Sequence, residues 1–255
     1  MLRFLILIAL AAGCSTPRVW TTQRIGPVDI KGDVAMNVGG ATGSTTASGL
    51  GLDEDDSAWS PRVDLDFAGL HINLNRFSTQ HSGRGVTNSA IMINGVTIPI
   101  ATVVDSSLDL EMTTAALTFD FIPTSFLDIG VGLGVGTINY DIDIQDIAVP
   151  ANRAQSEEEA PMGFIAARAA SELGSFLLSV DVAWIEIELD DDELSFLDTD
   201  AQLAWTFFDL TGPGFGQLVV GYRLIQADLE FVDGNSTVQA NLDFDGAYVG
   251  LALGL

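Results

Sequence analysis

The chain has 255 residues, 47% of them hydrophobic, and a formal net charge of −25. So apolar a composition under so large an acidic excess is awkward for a soluble globule, and the negative charge excludes nucleic acid as a partner. Beyond the first residues no window approaches the run of about 18 apolar residues that a transmembrane helix needs. Any membrane span must therefore be built from strands, with apolar side chains toward lipid and acids toward water.

The first residues read as a processing signal: Arg3 is a short positive region, residues 4–12 an apolar core and Gly13-Cys14 a cleavage point. Ala11-Ala12-Gly13-Cys14 resembles the bacterial lipobox, which implies cleavage before Cys14 and a lipid on its sulfur. Cys14 is the only cysteine, so no internal disulfide can form. Residues 16–24 show no periodicity. The expected organisation is a signal peptide over 1–13, a lipid-anchored tether over 14–25 and a β domain over 26–255.

From residue 26 onward the pattern is strand after strand, with no helical period of 3.6. Val28, Ile30, Val34, Met36 and Val38 alternate with polar residues; a long polar segment over 39–60 contains Asp53-Glu54-Asp55-Asp56. Strands over 62–67 and 70–75 meet at a tight turn near Gly69. A second long segment, 78–102, holds Asn94-Gly95, which suits a type I′ hairpin, so a small projecting ribbon is expected there. Further strands run over 104–121, 126–144, 162–170, 176–189, 194–208 and 215–231. The third long connection, 145–160, contains Glu157-Glu158-Glu159, and Asp190 to Glu193 form an acidic loop. Short and long connections alternate, as they do where short periplasmic turns face longer outward loops.

The last stretch alternates Val238, Ala240, Leu242 and Phe244 with Gln239, Asn241, Asp243 and Asp245, a wall expected to face lipid on one side and water on the other. Its end, with Tyr248, Gly250, Leu253 and Leu255, resembles the closing-strand signal of bacterial outer-membrane β-barrels. That resemblance implies an all-β fold: a closed, antiparallel, up-and-down transmembrane barrel of about ten strands, with eight as the alternative. It also implies a place in the bacterial outer membrane, with membrane lipids and the barrel assembly machinery as partners; the oligomeric state stays open. The architectural rival is a soluble lipocalin-like barrel held by a lipid.

Several strands change phase midway. Leu108, Leu110 and Met112 have one parity and Leu117, Phe119 and Phe121 the other; Phe176 to Val182 pass likewise to Ile185, Ile187 and Leu189. A β-bulge would repair each shift. Alternatively the upper strand halves stand above the membrane as a solvated sheet.

Candidate sites are few. Gly130, Gly132, Gly134 and Gly136 form a stripe that eases packing in a narrow barrel or, as the sharper hypothesis, a luminal groove for a ligand or the tether. Asp64, Asp66, Asp109, Glu111, Asp181, Asp243 and Asp245 are expected to face a wet or ion-paired lumen, partly offset by Arg62, Arg76, Arg168 and Arg223. A wet acidic lumen would favour cations, so a narrow cation-preferring channel is one alternative function. Asp53, Glu54, Asp55 and Asp56 offer hard oxygen ligands for loosely held Ca²⁺ or Mg²⁺, without the spacing of a dedicated calcium loop; no other cofactor is expected. His81-Ser82, expected in an outward loop, together with Asp55 would be the triad of a barrel hydrolase, and His71 reads as a wall histidine. The preferred function is structural, adhesive or small-ligand-binding and non-catalytic.

Overall fold

A computed structural model describes residues 17–38, 41–52, 56–93, 96–123, 127–189, 192–209, 214–233 and 236–255. Among these residues no helix is long and apolar enough to cross a membrane. The strands are β1 (Arg18–Val38), β2 (Ala41–Thr46), β3 (Asp56–Trp59), β4 (Arg62–Phe67), β5 (Leu70–Val86), β6 (Ile91–Ile93), β7 (Val96–Ile98), β8 (Val103–Pro123), β9 (Asp128–Asp146), β10 (Arg153–Leu173), β11 (Phe176–Leu189), β12 (Asp192–Asp209), β13 (Phe215–Asp233) and β14 (Ser236–Gly254).

Each long strand pairs antiparallel with the next, and β14 returns to pair with β1 from Trp20↔Gly254 to Val38↔Ser236. β3 and β4 together act as one interrupted strand between β1 and β5, with Pro61 at the break, where a residue lacking an N–H is tolerated. The ring thus has ten positions, closed and without an edge. Both termini of the ring and the tight turns near Gly69 and Gly174 share one end, here called the lower end. Ala68 and Gly69 both adopt positive φ, at 53° and 78°, which closes the first of these turns.

The upper end carries the longer connections. β2 folds back on β1, and β6–β7 form the expected ribbon, Ile91↔Ile98 to Ile93↔Val96, around residues 94–95, which lie outside the described residues. Ile91 and Ile98 are buried in the apolar core, so the ribbon folds inward instead of projecting.

The wall extends further than the sequence pattern suggests. β1 begins at Arg18, so residues 18–25, expected in the tether, are barrel wall. Glu157, Glu158 and Glu159 lie on β10 and not in a loop, because β9 and β10 pair as far as Arg153↔Gln145. His81-Ser82 likewise falls within β5. Strands of 19 to 21 residues, as in β8, β9 and β10, are about twice the 9–11 residues that cross a bilayer.

The extra length explains the phase changes. β8 pairs with β5 without a register shift from Leu70↔Phe119 to Val86↔Val103, and β11 pairs with β12 without one along its whole length. No bulge separates the two parities. Instead the faces exchange character partway up. In the lower half Leu117, Phe119, Val131, Leu133, Ile165, Leu178, Leu203, Leu218, Val249 and Leu251 point outward, exposed. In the upper half Leu108, Leu110, Met112, Ile138, Ile142, Ile144, Phe196, Ile225 and Phe244 point inward and form a dry core.

The outer band in the lower half matches the lipid-facing belt of a transmembrane barrel, edged by Trp59, Trp184 and Tyr222 above and Phe67, Phe121, Phe176 and Phe207 below. A lipocalin-like barrel would turn these side chains inward. Of the closing strand, Leu242 and Phe244 face inward, opposite to their expected side, whereas Val249, Leu251 and Leu253 take the lipid side.

Candidate functional site: a buried ion-pair plug beneath an acidic outer sheet

In the belt-level lumen, alternation places Trp20, Thr22 and Arg24 of β1 inward, with Arg62 and Asp64 of β4, His71 and Asn75 of β5, Arg168 of β10, Asp198, Asp200 and Gln202 of β12, Arg223 of β13 and Tyr248 of β14; all are buried. Arg24 donates from Nε to the Ser60 carbonyl at 2.9 Å, from Nη2 to Ser60 Oγ at 2.8 Å and to Asn75 Oδ1 at 2.6 Å, and from Nη1 to Asp200. Its guanidinium lies 5.1 Å from the Tyr248 ring centroid, and the Tyr248 hydroxyl donates to Asp200 Oδ1 at 2.5 Å.

Arg62 bridges two acids: Nε donates to Asp64 at 2.8 and 2.9 Å, and Nη1 to Asp181 Oδ2 at 2.8 Å. Arg223 grips Asp198 in a fork at 2.9 and 2.6 Å, reaches Ser60 Oγ at 3.1 Å and stacks 4.9 Å from the Phe77 ring centroid. Arg168 is held more loosely, 3.8 Å from Asp181 and 4.0 Å from Asp66. His71 sits between Asp66 and Asp64, with Nε2 3.2 Å from Asp64 Oδ1.

Four guanidinium groups, of Arg24, Arg62, Arg168 and Arg223, thus meet four carboxylates, of Asp64, Asp181, Asp198 and Asp200. Charges taken out of water are tolerable only when paired and hydrogen-bonded. Arg62 and Arg223 meet this through forked contacts and Arg24 through bonds to Asp200, Ser60 and Asn75. The buried Arg168 Nε, by contrast, lies near Asp181 without a hydrogen bond among the described residues. Trp20, Ala204, Val219, Tyr248 and Ala252 pack together below the network, and the dry core lies above it.

The glycine stripe faces inward but is crowded. A Cβ on Gly134 would stand 2.1 Å from the Phe164 ring, one on Gly136 2.6 Å from the Thr113 carbonyl, one on Gly130 2.7 Å from Asp120 Oδ1 and one on Gly132 1.8 Å from the Leu117 carbonyl. Phe164 and Met162 occupy the space the stripe leaves.

Of the expected luminal acids, Asp64, Asp66 and Asp181 are on the network side. Asp109 and Glu111 face outward from the upper half of β8, and so do Asp243 and Asp245, because their inward neighbours are Leu110, Met112 and Phe244. Arg76, expected opposite the luminal acids, is also outside, paired with Glu111 at 2.6 Å. Arg24 was missed because its segment shows no apolar alternation: outward Thr21 and Gln23 are as polar as inward Thr22.

The outer acids form a sheet surface. Asp109, Asp141 and Glu157 stand directly opposite one another on β8, β9 and β10. Around them Arg84 pairs with Asp105 and holds its carboxyl below the usual range, and Arg153 pairs with Asp143. Lys31, at 2.8 Å, and then Tyr222 hold Asp245 below that range too.

His81 is buried and points inward, 3.2 Å from Thr79 Oγ1, whereas Ser82 is exposed on the outer face. Adjacent strand residues face opposite sides, so this His and Ser cannot act together. Asp53, Glu54, Asp55 and Cys14 lie outside the described residues; Asp56 accepts from the Ser57 backbone N–H at 2.7 Å. Among the described residues no group of three His, Cys, Asp or Glu has metal-binding geometry.

Neither a protein-family model nor a curated protein matches the sequence. Solved structures do. The outer-membrane protease OmpT of Escherichia coli superposes with a TM-score of 0.50 at 7% identity, over 95% of this chain and 99% of that one. The attachment invasion locus protein Ail of Yersinia pestis gives 0.34 at 9% identity over 90% and 98%. The translocator domain of the autotransporter NalP of Neisseria meningitidis gives 0.38 at 9% over 98% and 92%. At such identities the likeness concerns the fold: that of a bacterial outer-membrane β-barrel.

Proposed function

We propose that this outer-membrane β-barrel is a sealed, non-catalytic scaffold that holds an acidic β-sheet tower outside the bilayer as an adhesive or binding surface for cationic partners. The observation that carries this reading is the exchange of faces along unshifted strands. It leaves a lipid-facing belt of about one bilayer's span and, above it, an equal length of barrel with a dry core and carboxylates outside. A chain evolved only to cross the membrane has no use for the upper half.

The ion-pair plug favours this over the channel reading. About eight to ten strands leave a lumen that side chains fill, and here arginine–aspartate pairs span it at belt level while apolar side chains fill it above. In planar bilayers the purified chain is expected to give no steady conductance; reproducible cation-selective steps would favour the channel. The adhesive role is tested by binding of nanodisc-embedded protein to a lysine-rich peptide surface. Binding should weaken steeply with salt, and the variant Asp109→Asn/Asp141→Asn/Glu157→Gln should reduce it. Salt-independent binding, or none, would count against the reading.

A further inference from the structure

The outer wall is not evenly convex. Where Pro61 interrupts the strand between β1 and β5, a crevice of about 540 Å³ opens on the side facing away from the lumen, a volume within the range of ligand sites. Its floor is Val63, Leu74, Ala115 and Val135, all part of the lipid-facing belt, with Leu74 49% and Val135 65% exposed. Small Ala115 between Leu74 and Val135 makes the depression: Leu74↔Ala115 and Ala115↔Val135 are direct cross-strand neighbours.

One step higher on the same strands the lining turns polar, with Arg76 and Thr113, which are cross-strand partners. Arg76 gives one nitrogen, Nη2, to Glu111 and its side chain remains 48% exposed. The crevice therefore straddles the height at which the outer surface passes from apolar to acidic, and its one exposed cation stands on that line.

We propose that this crevice seats a membrane phospholipid, with one acyl chain against Leu74, Ala115 and Val135 and the phosphate at Arg76 and the Thr113 hydroxyl. The position selects the occupant. An apolar floor opening toward hydrocarbon meets acyl chains and not a soluble ligand, and a guanidinium at the interface presents planar donors suited to phosphate oxygens. In a wall otherwise crowned by carboxylates, a cation at this height compensates a headgroup charge that Glu111 and Asp109 would repel. The inference rests on the belt facing lipid, and the experiment separates the two.

The full chain is reconstituted in nanodiscs containing phosphatidylglycerol with a photoactivatable acyl chain, and the crosslinked peptides are mapped. The expected result is labelling concentrated around Leu74 and Ala115 over the opposite wall around Leu203 and Leu218. Ala115→Trp and Thr113→Trp, both outward-facing, should bring it down to the level of that wall, with heat-modifiable gel migration reporting that each has folded. Arg76→Gln should abolish any preference for phosphatidylglycerol over phosphatidylcholine at the crevice. Even labelling around the belt in the unaltered chain overturns the proposal whatever the variants do, as does concentrated labelling that a folded Ala115→Trp leaves unchanged. Absence of labelling from every wall would overturn the lipid-facing belt itself.

Discussion

Asp200 concentrates the electrostatics of the lumen: it accepts from Arg24 and from the Tyr248 hydroxyl, and Arg62 stands 3.6 Å away. Asp200→Ala would leave the buried Arg24 guanidinium without a carboxylate partner, whereas Arg62 keeps Asp64 and Asp181. The substitution is expected to destabilise the folded barrel by about 3–5 kcal/mol in denaturant unfolding from micelles. Removing the exposed partner Asp105 from Arg84 should change nothing measurable. Gly134→Ala should cost about 1–3 kcal/mol, because the added methyl runs into the Phe164 ring, and Phe164→Ala in the same chain should restore part of the loss. At this scale the sequence was only partly legible. The glycine stripe, Asp64 and Arg62 could be placed on the inner face from parity alone. Arg24 could not, since burial among polar partners leaves no hydrophobic pattern, and the pairing partners come from strands over a hundred residues away, as Asp200 does from β12.

Strand β9 shows the rule of the elements in one line. Its outer face runs Val131, Leu133, Val135 and then Asp141, Asp143, while its inner face runs from glycines to Ile138, Ile142 and Ile144. Leu133→Arg is therefore expected to cost about 2–4 kcal/mol, as a charge in the lipid band does. Asp141→Arg, on the same face of the same strand, should be neutral or mildly stabilising because it breaks a row of like charges. Equal costs at the two positions would contradict the exchange of faces. The phase changes were visible in the residues, yet period-two alternation carries no label saying which side is lipid. An apolar face over an acidic one fits a membrane wall and a solvated sheet equally well. That ambiguity is why Asp109, Glu111, Asp243 and Asp245 were expected inside. Strand length resolves it, since a wall twice the bilayer's span must put half of each strand in water.

For the whole molecule, closure follows from ten antiparallel positions with short turns at one end, and this much was readable from the spacing of turn residues. What fills the ring was not. The plug is assembled from residues on β1, β4, β5, β10, β11, β12, β13 and β14, and the upper core draws on the β6–β7 ribbon as well. Closure through β1 and β14 also makes the barrel cooperative. Deleting residues 18–25 should therefore abolish heat-modifiable migration and not merely release a tether, because residues 20–25 pair with 249–254 and residues 18–22 with 62–66.

The most direct test of the account measures depth. Single nitroxide labels would be placed, in a Cys14→Ser background, at the outward positions Leu133 and Leu251 and at the outward positions Asp109, Asp141 and Asp243 of the protein in bilayers. The account predicts that labels at the first two collide with oxygen dissolved in the hydrocarbon and escape a water-soluble nickel reagent, and that labels at the last three do the reverse. Hydrocarbon exposure at Asp109 and Asp141, or water exposure at Leu133 and Leu251, would contradict it.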